Sequence, residues 1–256
     1  MRFCSLGSGS SGNSFIVQDN SSTLLIDCGF GLSETVTRLD RYGLKPDQLN
    51  GILLTHEHED HVKGAFSFSN KYNIPIYLSH GTFKMCKKRI NENYDIDFNI
   101  ISGVKSFMIN DIKVTPLIVP HDAREPFQYK FESKRKSIAI VTDLGFITKH
   151  LIENLKNIKG LVIEFNHDKS MLINSDYPQS LKDRVSGMYG HLENMESIKL
   201  LKSINYKDIK WIAAAHLSEK NNDEDLVKRL ISEATMKENE YIKIIDQTNG
   251  IDWMSV

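Results

Sequence analysis

Three histidines and one aspartate lie within six residues of one another, directly after a short apolar run. The segment His56-Glu-His58-Glu-Asp60-His61 follows Ile52 to Leu54, which predicts a buried strand. Because side chains alternate along an extended chain, His56 and His58 face the same way, whereas Asp60 and His61 point elsewhere. A folded core does not bury so many polar groups without partners, and a metal site supplies them. Two pairs of ligands from one turn predict two metal ions side by side.

The pattern His-x-His-x-Asp-His resembles the signature of the metallo-β-lactamase superfamily. This resemblance implies an α/β fold of four layers, αββα, in which two mixed β-sheets are sandwiched between helices. The alternation of predicted strands and helices agrees with such a sandwich, and one helix is predicted over Val62 to Asn70, directly after the motif. The chain shows no repeat, linker or low-complexity segment, so we expect residues 1–256 to form a single hydrolase domain.

The composition sets broad limits on the class of protein. Of the 256 residues, 40% are hydrophobic and 25% charged, as in a globular protein with a sizeable core. No segment approaches the roughly 20 apolar residues that span a bilayer, and the first residues lack an apolar signal region. We therefore expect a cytoplasmic protein with no membrane partner. The net charge of −1 gives no overall sign of nucleic-acid binding, so any basic surface would have to be local.

Two more candidates stand at the ends of apolar strands, where α/β scaffolds place site residues. His121 follows the predicted strand Ile112 to Val119. It supplies the third nitrogen that a tetrahedral site with His56 and His58 requires. Asp27 closes an earlier apolar strand, and its carboxylate either caps the next turn or supports a neighbouring metal ligand.

The superfamily resemblance assigns further roles. Asp27 matches the first motif, an aspartate with an orienting role, and His121 matches the third. Asp143 matches the fourth motif, whose carboxylate bridges the two metals, and His216 matches the fifth. The resulting assignment is His56, His58 and His121 on metal 1, Asp60, His61 and His216 on metal 2, and Asp143 between them.

The donor set predicts the metals and the reaction. Imidazoles and carboxylates suit Zn²⁺, Mn²⁺ or Fe²⁺, while Cys4, Cys28 and Cys86 lack the spacing of zinc ligands. Two such ions would share a water molecule and lower its pKa to about 7, which gives hydroxide at neutral pH. Attack by that hydroxide on phosphorus would cleave a phosphodiester, and esters, thioesters and lactams remain open as substrates.

A phosphodiesterase also needs an acid that protonates the departing oxygen. His191 follows Gly190 between two predicted helices, and Glu164 ends a strand from which it can hold one imidazole nitrogen. This pair resembles an arrangement in the tRNA-3′-processing and cyclic-phosphodiesterase branches of the superfamily. We predict Asp60, His191 and Glu164 as catalytic residues. The structural alternative is that Glu164 caps a turn and His191 begins a helix.

Motifs elsewhere in the chain resemble the YycJ/WalJ family of bacterial proteins. They are Ser5-Leu-Gly-Ser-Gly-Ser-Ser-Gly-Asn13, Glu164-Phe-Asn-His-Asp168, Tyr177-Pro-x-x-Leu-Lys-x-Arg184, Gly190-His-Leu192 and His216-Leu-Ser-x-x-Asn-Asn222. Members are regarded as 5′→3′ exonucleases on double-stranded DNA, linked to DNA repair. The resemblance therefore implies a DNA substrate and two divalent metal ions per chain. It also implies positions beside the ligands or the substrate for Asn13, His167 and Asp168. One departure is Glu193, which stands where the family pattern has serine.

Other functional classes remain open at this point. The near-neutral charge favours a small-molecule hydrolase of a cyclic phosphodiester, thioester or lactam, because nucleic-acid binding calls for clustered basic residues. Only Lys134 to Lys136, Lys182 and Arg184 offer such residues near the motifs. An RNA-processing nuclease would use the same site residues. A module without catalysis fits less well, since no metal ligand is missing.

Overall fold

The computed structural model describes residues 1–256, and its strands form two sheets of seven. The first sheet contains β1 (Arg2–Gly7), β2 (Ser14–Asp19), β3 (Ser22–Ile26), β4 (Gly51–Leu53), β5 (Ile76–Ser79), β6 (Phe98–Ile101) and β14 (Ile251–Ser255). Across this sheet the order is β14-β1-β2-β3-β4-β5-β6. The last strand of the chain therefore lies beside the first.

The second sheet repeats the arrangement of the first. It contains β7 (Phe107–Ile109), β8 (Ile112–Ile118), β9 (Phe127–Ser133), β10 (Lys136–Val141), β11 (Gly160–Glu164), β12 (Trp211–Ala215) and β13 (Ile242–Ile244), in the order β13-β12-β11-β10-β9-β8-β7. In each sheet four neighbouring strands pair antiparallel and the remaining pairs are parallel. Both sheets are therefore mixed, as predicted.

The helices cover the outer faces and the edge at which the strands end. They are α1 (Leu32–Arg41), α2 (Glu59–Val62), α3 (Ala65–Tyr72), α4 (His80–Cys86), α5 (Lys149–Asn154), α6 (Lys169–Asn174), α7 (Gln179–Val185), α8 (Asn194–Ser203) and α9 (Glu224–Thr235). Short 3₁₀ helices occupy Pro46–Gln48, Lys87–Arg89, Tyr206–Asp208 and Asn239–Tyr241. None of the helices combines the length and the apolar character that crossing a membrane requires.

The core consists of three apolar clusters that separate the four layers. In β10, Ile138 and Ile140 enter the cluster between the sheets, while Ala139 and Val141 face the cluster under the outer helices. Both faces of such a strand are buried, so its sequence is a continuous apolar run and not an alternation. The third cluster lies between the first sheet and its helices. The predicted αββα sandwich is thus confirmed.

Several local predictions differ from the structure. The helix predicted over Val62 to Asn70 is two helices, α2 and α3, separated at Gly64. A Cβ atom on Gly64 would lie 2.1 Å from the carbonyl oxygen of Phe30, so the chain turns where this close approach requires glycine. Strands β6 and β7 and helices α5 and α6 were not predicted. β6 and β7 are edge strands that are largely half-buried or exposed, and their apolar pattern is weak for that reason.

Candidate active site

The predicted site residues lie together at one edge of the sandwich, just past the ends of strands from both sheets. Asp27 follows β3, Asp143 follows β10 by two residues, and His216 follows β12. All three adopt the left-handed backbone conformation, with φ of +56°, +52° and +56° respectively. Non-glycine residues rarely take this conformation, and it concentrates at functional sites. The turn that each residue makes directs its side chain into the edge between the sheets.

The three histidines assigned to metal 1 converge on one point. Nδ1 of His58 lies 3.0 Å from Nε2 of His56 and 3.3 Å from Nε2 of His121. His56 and His121 are buried, while the side chain of His58 is 28% exposed. Three imidazole nitrogens so close together compete for one position, which suits a cation that accepts all three lone pairs.

The residues assigned to metal 2 form a second group beside the first. Oδ2 of Asp60 lies 3.3 Å from Nε2 of His61 and 3.5 Å from Nε2 of His216. Asp143 reaches the same two rings, with Oδ2 3.5 Å from Nε2 of His61 and Oδ1 3.4 Å from Nε2 of His216. It also belongs to a group with His56 of the first trio. Asp143 therefore lies between the two groups.

Unpaired buried atoms show that the cluster fits metal ions. Oδ2 of Asp143 and Nε2 of His216 have no hydrogen-bond partner although they are buried. Such an orphaned group costs about 1–3 kcal/mol, and a cation bound among these atoms removes the cost. The potential donor atoms within each group all lie within 4.8 Å of one another. Cys4, Cys28 and Cys86 belong to the apolar core and offer no thiolate, so the nitrogen and oxygen donors suit a divalent cation.

One carboxylate, Asp27, orients ligands from both groups. Nδ1 of His61 donates to Oδ2 of Asp27 at 2.7 Å, and the hydroxyl of Thr55 donates to the same carboxylate. Because that hydroxyl proton is used, Oγ1 of Thr55 accepts from Nδ1 of His56 at 2.9 Å. Nε2 of His56 and of His61 are thereby left as lone-pair donors for metal. This is the support from outside the ligand set that was predicted for Asp27, and the participation of Thr55 was not predicted.

Two other ligands are fixed by groups in the loops that follow β11 and α7. Nδ1 of His121 donates to the carbonyl oxygen of Gly190 at 3.1 Å, which leaves Nε2 for the cation. The amide of Asn166 lies 3.3 Å from Nδ1 of His216 and donates to its carbonyl oxygen at 3.0 Å. Sequence reasoning missed Asn166, although it lies inside a motif that was recognised.

The Gly/Ser loop before β2 carries Asn13 to the second group. Nδ2 of Asn13 donates to Oδ2 of Asp60 at 3.1 Å and lies 3.2 Å from Nε2 of His61. Ser8 holds this amide in place through a bond to its oxygen at 2.8 Å and also accepts from the backbone N–H of His216 at 3.0 Å. The loop joins β1 to β2, and in addition it supports the cluster. The only sequence signal for this role of Ser8 is the number of hydroxyl residues in the loop.

Charge distinguishes the two groups. Burial and the neighbouring imidazoles hold the pKa of His56 well below its usual value, and burial also lowers the pKa of His121. Burial opposes protonation of His61 and His216 as well, but nearby carboxylates outweigh it, raising the pKa of His61 far above normal and that of His216 to about 9. The imidazoles of His56 and His121 are therefore neutral at pH 7. Those of the second group hold protons that a cation must displace.

His191 and Glu164 form the predicted pair. Nδ1 of His191 donates to Oε1 of Glu164 at 2.8 Å, and Oε2 accepts from the backbone N–H groups of Leu144 and Leu192 at 3.2 and 3.0 Å. Glu164 is fully buried at the end of β11, whereas the ring of His191 is 18% exposed and lies 3.7 Å from Asp143. The carboxylate holds the ring in one tautomer, and Nε2 is free to carry or release a proton.

The remaining predicted residues lie beside this pair. His167 is buried with its Nδ1 3.2 Å from Oδ1 of Asn166, and burial lowers its pKa to about 4. Asp168 caps α6 by accepting from the N–H groups of Ser170 and Met171, so it does not reach the cluster. Glu193, at the departure from the family pattern, caps α8 by accepting from the N–H of Met195 at 3.2 Å. A serine can perform the same capping.

Asp122 and Arg184 complete the rim near the first group, and neither was predicted as a site residue. Oδ1 of Asp122 lies 3.3 Å from Nε2 of His121 and 3.7 Å from Nε2 of His58. Its Oδ2 accepts from Nε of Arg184 at 2.7 Å, and the arginine side chain is 58% exposed. Asp122 could have been predicted as a site residue from its position directly after the predicted ligand His121. No local pattern connects it with Arg184, 62 positions away.

Comparisons with known proteins agree with this geometry. The sequence model of the beta-lactamase superfamily domain matches residues 22–211. Exodeoxyribonuclease YycJ of Bacillus anthracis is 33% identical over 91% of this chain and 88% of its own length. Exodeoxyribonuclease WalJ of Streptococcus pneumoniae is 31% identical over 88% of this chain and 84% of its own length.

Among solved structures, the metallo-beta-lactamase fold protein YhfI from Bacillus subtilis superposes with a TM-score of 0.73. The alignment covers 96% of both chains at 16% identity, so it supports the fold alone. The matched residues of the superfamily domain include every cluster member except His216. From the domain match and the two relatives that align over most of their length, we conclude that this chain belongs to the beta-lactamase superfamily and, within it, to the YycJ/WalJ family.

Proposed function

We propose that this protein is a metal-dependent exodeoxyribonuclease that degrades double-stranded DNA from the 5′ end. The observation that carries the proposal is the pair of His191 and Glu164 beside the histidine and aspartate cluster, in a chain whose full-length relatives are named exodeoxyribonucleases. The cluster supplies the groups for hydrolysis, and the pair supplies the acid that a phosphodiester requires. The family resemblance further implies a role in DNA repair, and a DNA substrate implies a cytoplasmic protein.

The proposed ligands divide as the two groups do. His56, His58 and His121 would hold one divalent cation, and Asp60, His61 and His216 the other, with Asp143 contributing to both. When bound, Zn²⁺ or Mn²⁺ would lower the pKa of water and offset negative charge on a phosphate. Asn13 and Asp27 keep Asp60 and His61 in place for this purpose. We also propose that residues 1–256 act as one domain, because the ligands come from both sheets.

The second half of the reaction uses His191. A water molecule loses one proton to solvent as its oxygen forms a bond to phosphorus. The bond between phosphorus and the departing O3′ breaks, and Nε2 of His191 gives its proton to O3′. Glu164 accepts from Nδ1 and keeps Nε2 directed at the departing oxygen. General acids of this kind contribute typically about 10²–10⁴-fold.

The test is a panel of substrates supplied with Mn²⁺ or Zn²⁺. It comprises end-labelled duplex DNA, single-stranded DNA, RNA and the small diester bis-p-nitrophenyl phosphate. We expect the duplex to be shortened progressively from its 5′ end. The Asp60→Ala variant should lose this activity, because it lacks a carboxylate that faces two imidazoles.

Asp40→Asn, at an exposed position of α1, is the matched control and should digest DNA as the natural chain does. Turnover of the small diester alone, with all polymers intact, would contradict the nuclease proposal and indicate a small-molecule phosphodiesterase. Digestion of RNA in preference to DNA would indicate an RNA-processing enzyme.

A further inference from the structure

A cavity of about 470 Å³ opens directly beside His191. Its wall includes the ring of His191 itself and Gly145, two residues after Asp143, so it is continuous with the metal cluster. It lies between α6 and α7, and neither the proposed ligands nor the mechanism above uses the rest of its lining. Cavities of this size commonly hold a small molecule.

The cavity lies beside His191, the proposed general acid, and this position determines which part of a DNA chain it can hold. His191 gives its proton to the departing oxygen, so the group that departs lies on the same side as His191. When hydrolysis leaves the new phosphate on the remaining chain, the departing oxygen is O3′ of the nucleotide on the 5′ side. A cavity of this volume at that point can accept that one nucleotide.

The lining matches the parts of a nucleotide. Lys169 and Lys182 supply ammonium groups, and Nζ of Lys182 is held by the carbonyl oxygen of Ile173 at 2.7 Å. Leu172 and Ile173 form an apolar wall suited to a base or sugar. His167, whose imidazole is neutral at pH 7, adds an uncharged polar group.

Three carboxylates also line the cavity, and each already has a partner within the protein. Asp183 accepts from the side-chain amide of Gln179, Glu193 from the N–H of Met195, and Glu196 from Lys199. These partners reduce their repulsion of a phosphate. The lysines remain the cationic groups of the lining to which an anion can bind.

We propose that this cavity binds the 5′-terminal nucleotide of the DNA strand, with its 5′-phosphate on Lys169 and Lys182. The inference rests on the proposed nuclease function and deepens it, because the cavity then determines both the 5′→3′ direction and the release of single nucleotides. It also makes a free 5′ end a requirement for digestion.

The experiment compares one duplex carrying a 5′-phosphate, the same duplex with a 5′-hydroxyl, and a covalently closed circle. The Lys169→Ala/Lys182→Ala double variant is paired with Lys156→Ala/Lys202→Ala, which removes two exposed lysines elsewhere. In the natural chain we expect preference for the 5′-phosphate, release of deoxynucleoside 5′-monophosphates and no cleavage of the circle. The cavity variant should lose the preference through a rise in KM of about tenfold or more, because the loss of even one charge-assisted hydrogen bond has about that effect.

Two readouts separate this role from a general structural one. The cavity variant should turn over bis-p-nitrophenyl phosphate at an unchanged rate, because that substrate has no terminal phosphate. Binding of thymidine 5′-monophosphate in EDTA, measured by calorimetry, should weaken by about tenfold in the cavity variant and not in its control.

The possible failures are distinguishable. If the natural chain hydrolyses the small diester and leaves all DNA intact, the nuclease proposal and this inference are both overturned. If the natural chain digests DNA but the cavity variant matches its control in KM, in 5′-phosphate preference and in nucleotide binding, the cavity assignment alone is overturned. Cleavage of the closed circle would overturn it as well.

Discussion

At the scale of single residues, the site depends on which nitrogen of each imidazole is free. Asp27 occupies Nδ1 of His61 and, through Thr55, Nδ1 of His56, while Gly190 occupies Nδ1 of His121. Each of these rings therefore presents Nε2 to the cluster. The ring of His191 differs only in its partner and its exposure, and the proposal that it handles a proton and not a metal rests on that difference.

If His191 protonates the departing oxygen, the loss of activity on its removal depends on the leaving group of the substrate. In His191→Ala we expect kcat on duplex DNA to fall by about 10²–10⁴-fold, because alkoxide departure requires a proton. Hydrolysis of bis-p-nitrophenyl phosphate should change little, since p-nitrophenolate departs as a stable anion. Glu164→Gln, which keeps the shape of the partner, should show a smaller loss of the same kind. Equal losses on both substrates in steady-state assays would indicate damage to the metal cluster.

At the scale of secondary structure, the two sheets are joined by an ion pair as well as by apolar packing. Asp19, at the end of β2, is buried and lies 2.8 Å from Nζ of Lys136, at the start of β10. Burial opposes ionisation of Asp19, but the hydrogen bonds from Lys136 and other donors outweigh it and hold its pKa below the usual value. The pair connects strands from different layers of the sandwich.

This pair predicts how stability depends on pH. The pKa of Asp19 is lower in the folded state than in the unfolded state, where it is about 3.9. Its stabilisation is therefore complete above that value and is lost as the pH falls below it. We expect Asp19→Asn to reduce the free energy of unfolding at pH 7 by about 1–3 kcal/mol. The variant should also lose less stability than the natural chain as the pH falls into the acid range. Denaturant titrations from pH 7 to pH 2 measure both effects.

The comparison for that experiment is Asp252→Asn, at an exposed position of β14. This variant should retain both the stability at pH 7 and the steep loss in acid. If Asp19→Asn loses stability in acid as steeply as the natural chain does, Asp19 is not the cause of that loss.

The elements that were predicted from sequence share strong local signals. The run before His56 reads as a strand because both of its faces are buried. Four proposed ligands of the two metals also lie within one segment of six residues. Long-range partners carry no such signal. Arg184 meets Asp122 across 62 positions, and Ser8 meets the backbone of His216 across 208. These contacts depend on how the two sheets come together, which no local pattern encodes.

At the scale of the whole molecule, the cluster joins two halves of the sandwich. Its members follow strands of the first sheet, such as His56 after β4, and strands of the second, such as Asp143 and His216. A cation bound there would favour the folded state only, because the unfolded chain does not hold these residues together. Metal binding and global stability are therefore coupled.

This coupling predicts a large effect of chelation on thermal unfolding. A cation at about 1,000 times its dissociation constant contributes roughly 4 kcal/mol, which for a chain of this size raises Tm by roughly 8 °C or more. Differential scanning calorimetry with added Zn²⁺ or Mn²⁺, and again with EDTA, measures the shift. Asp143→Ala should remove most of it. Identical Tm values with and without the cation would contradict a structural coupling.

The pairing of β14 with β1 has a consequence for synthesis of the protein. Arg2 lies opposite Ser255, so the first sheet lacks this outermost strand until residues 251–255 have left the ribosome. His216 is added to the cluster only after most of the chain has emerged. A nascent or prematurely terminated chain thus holds an incomplete sheet, and for most of translation an incomplete set of ligands. The complete set of proposed ligands, and any activity that depends on it, is therefore available only after His216 has emerged.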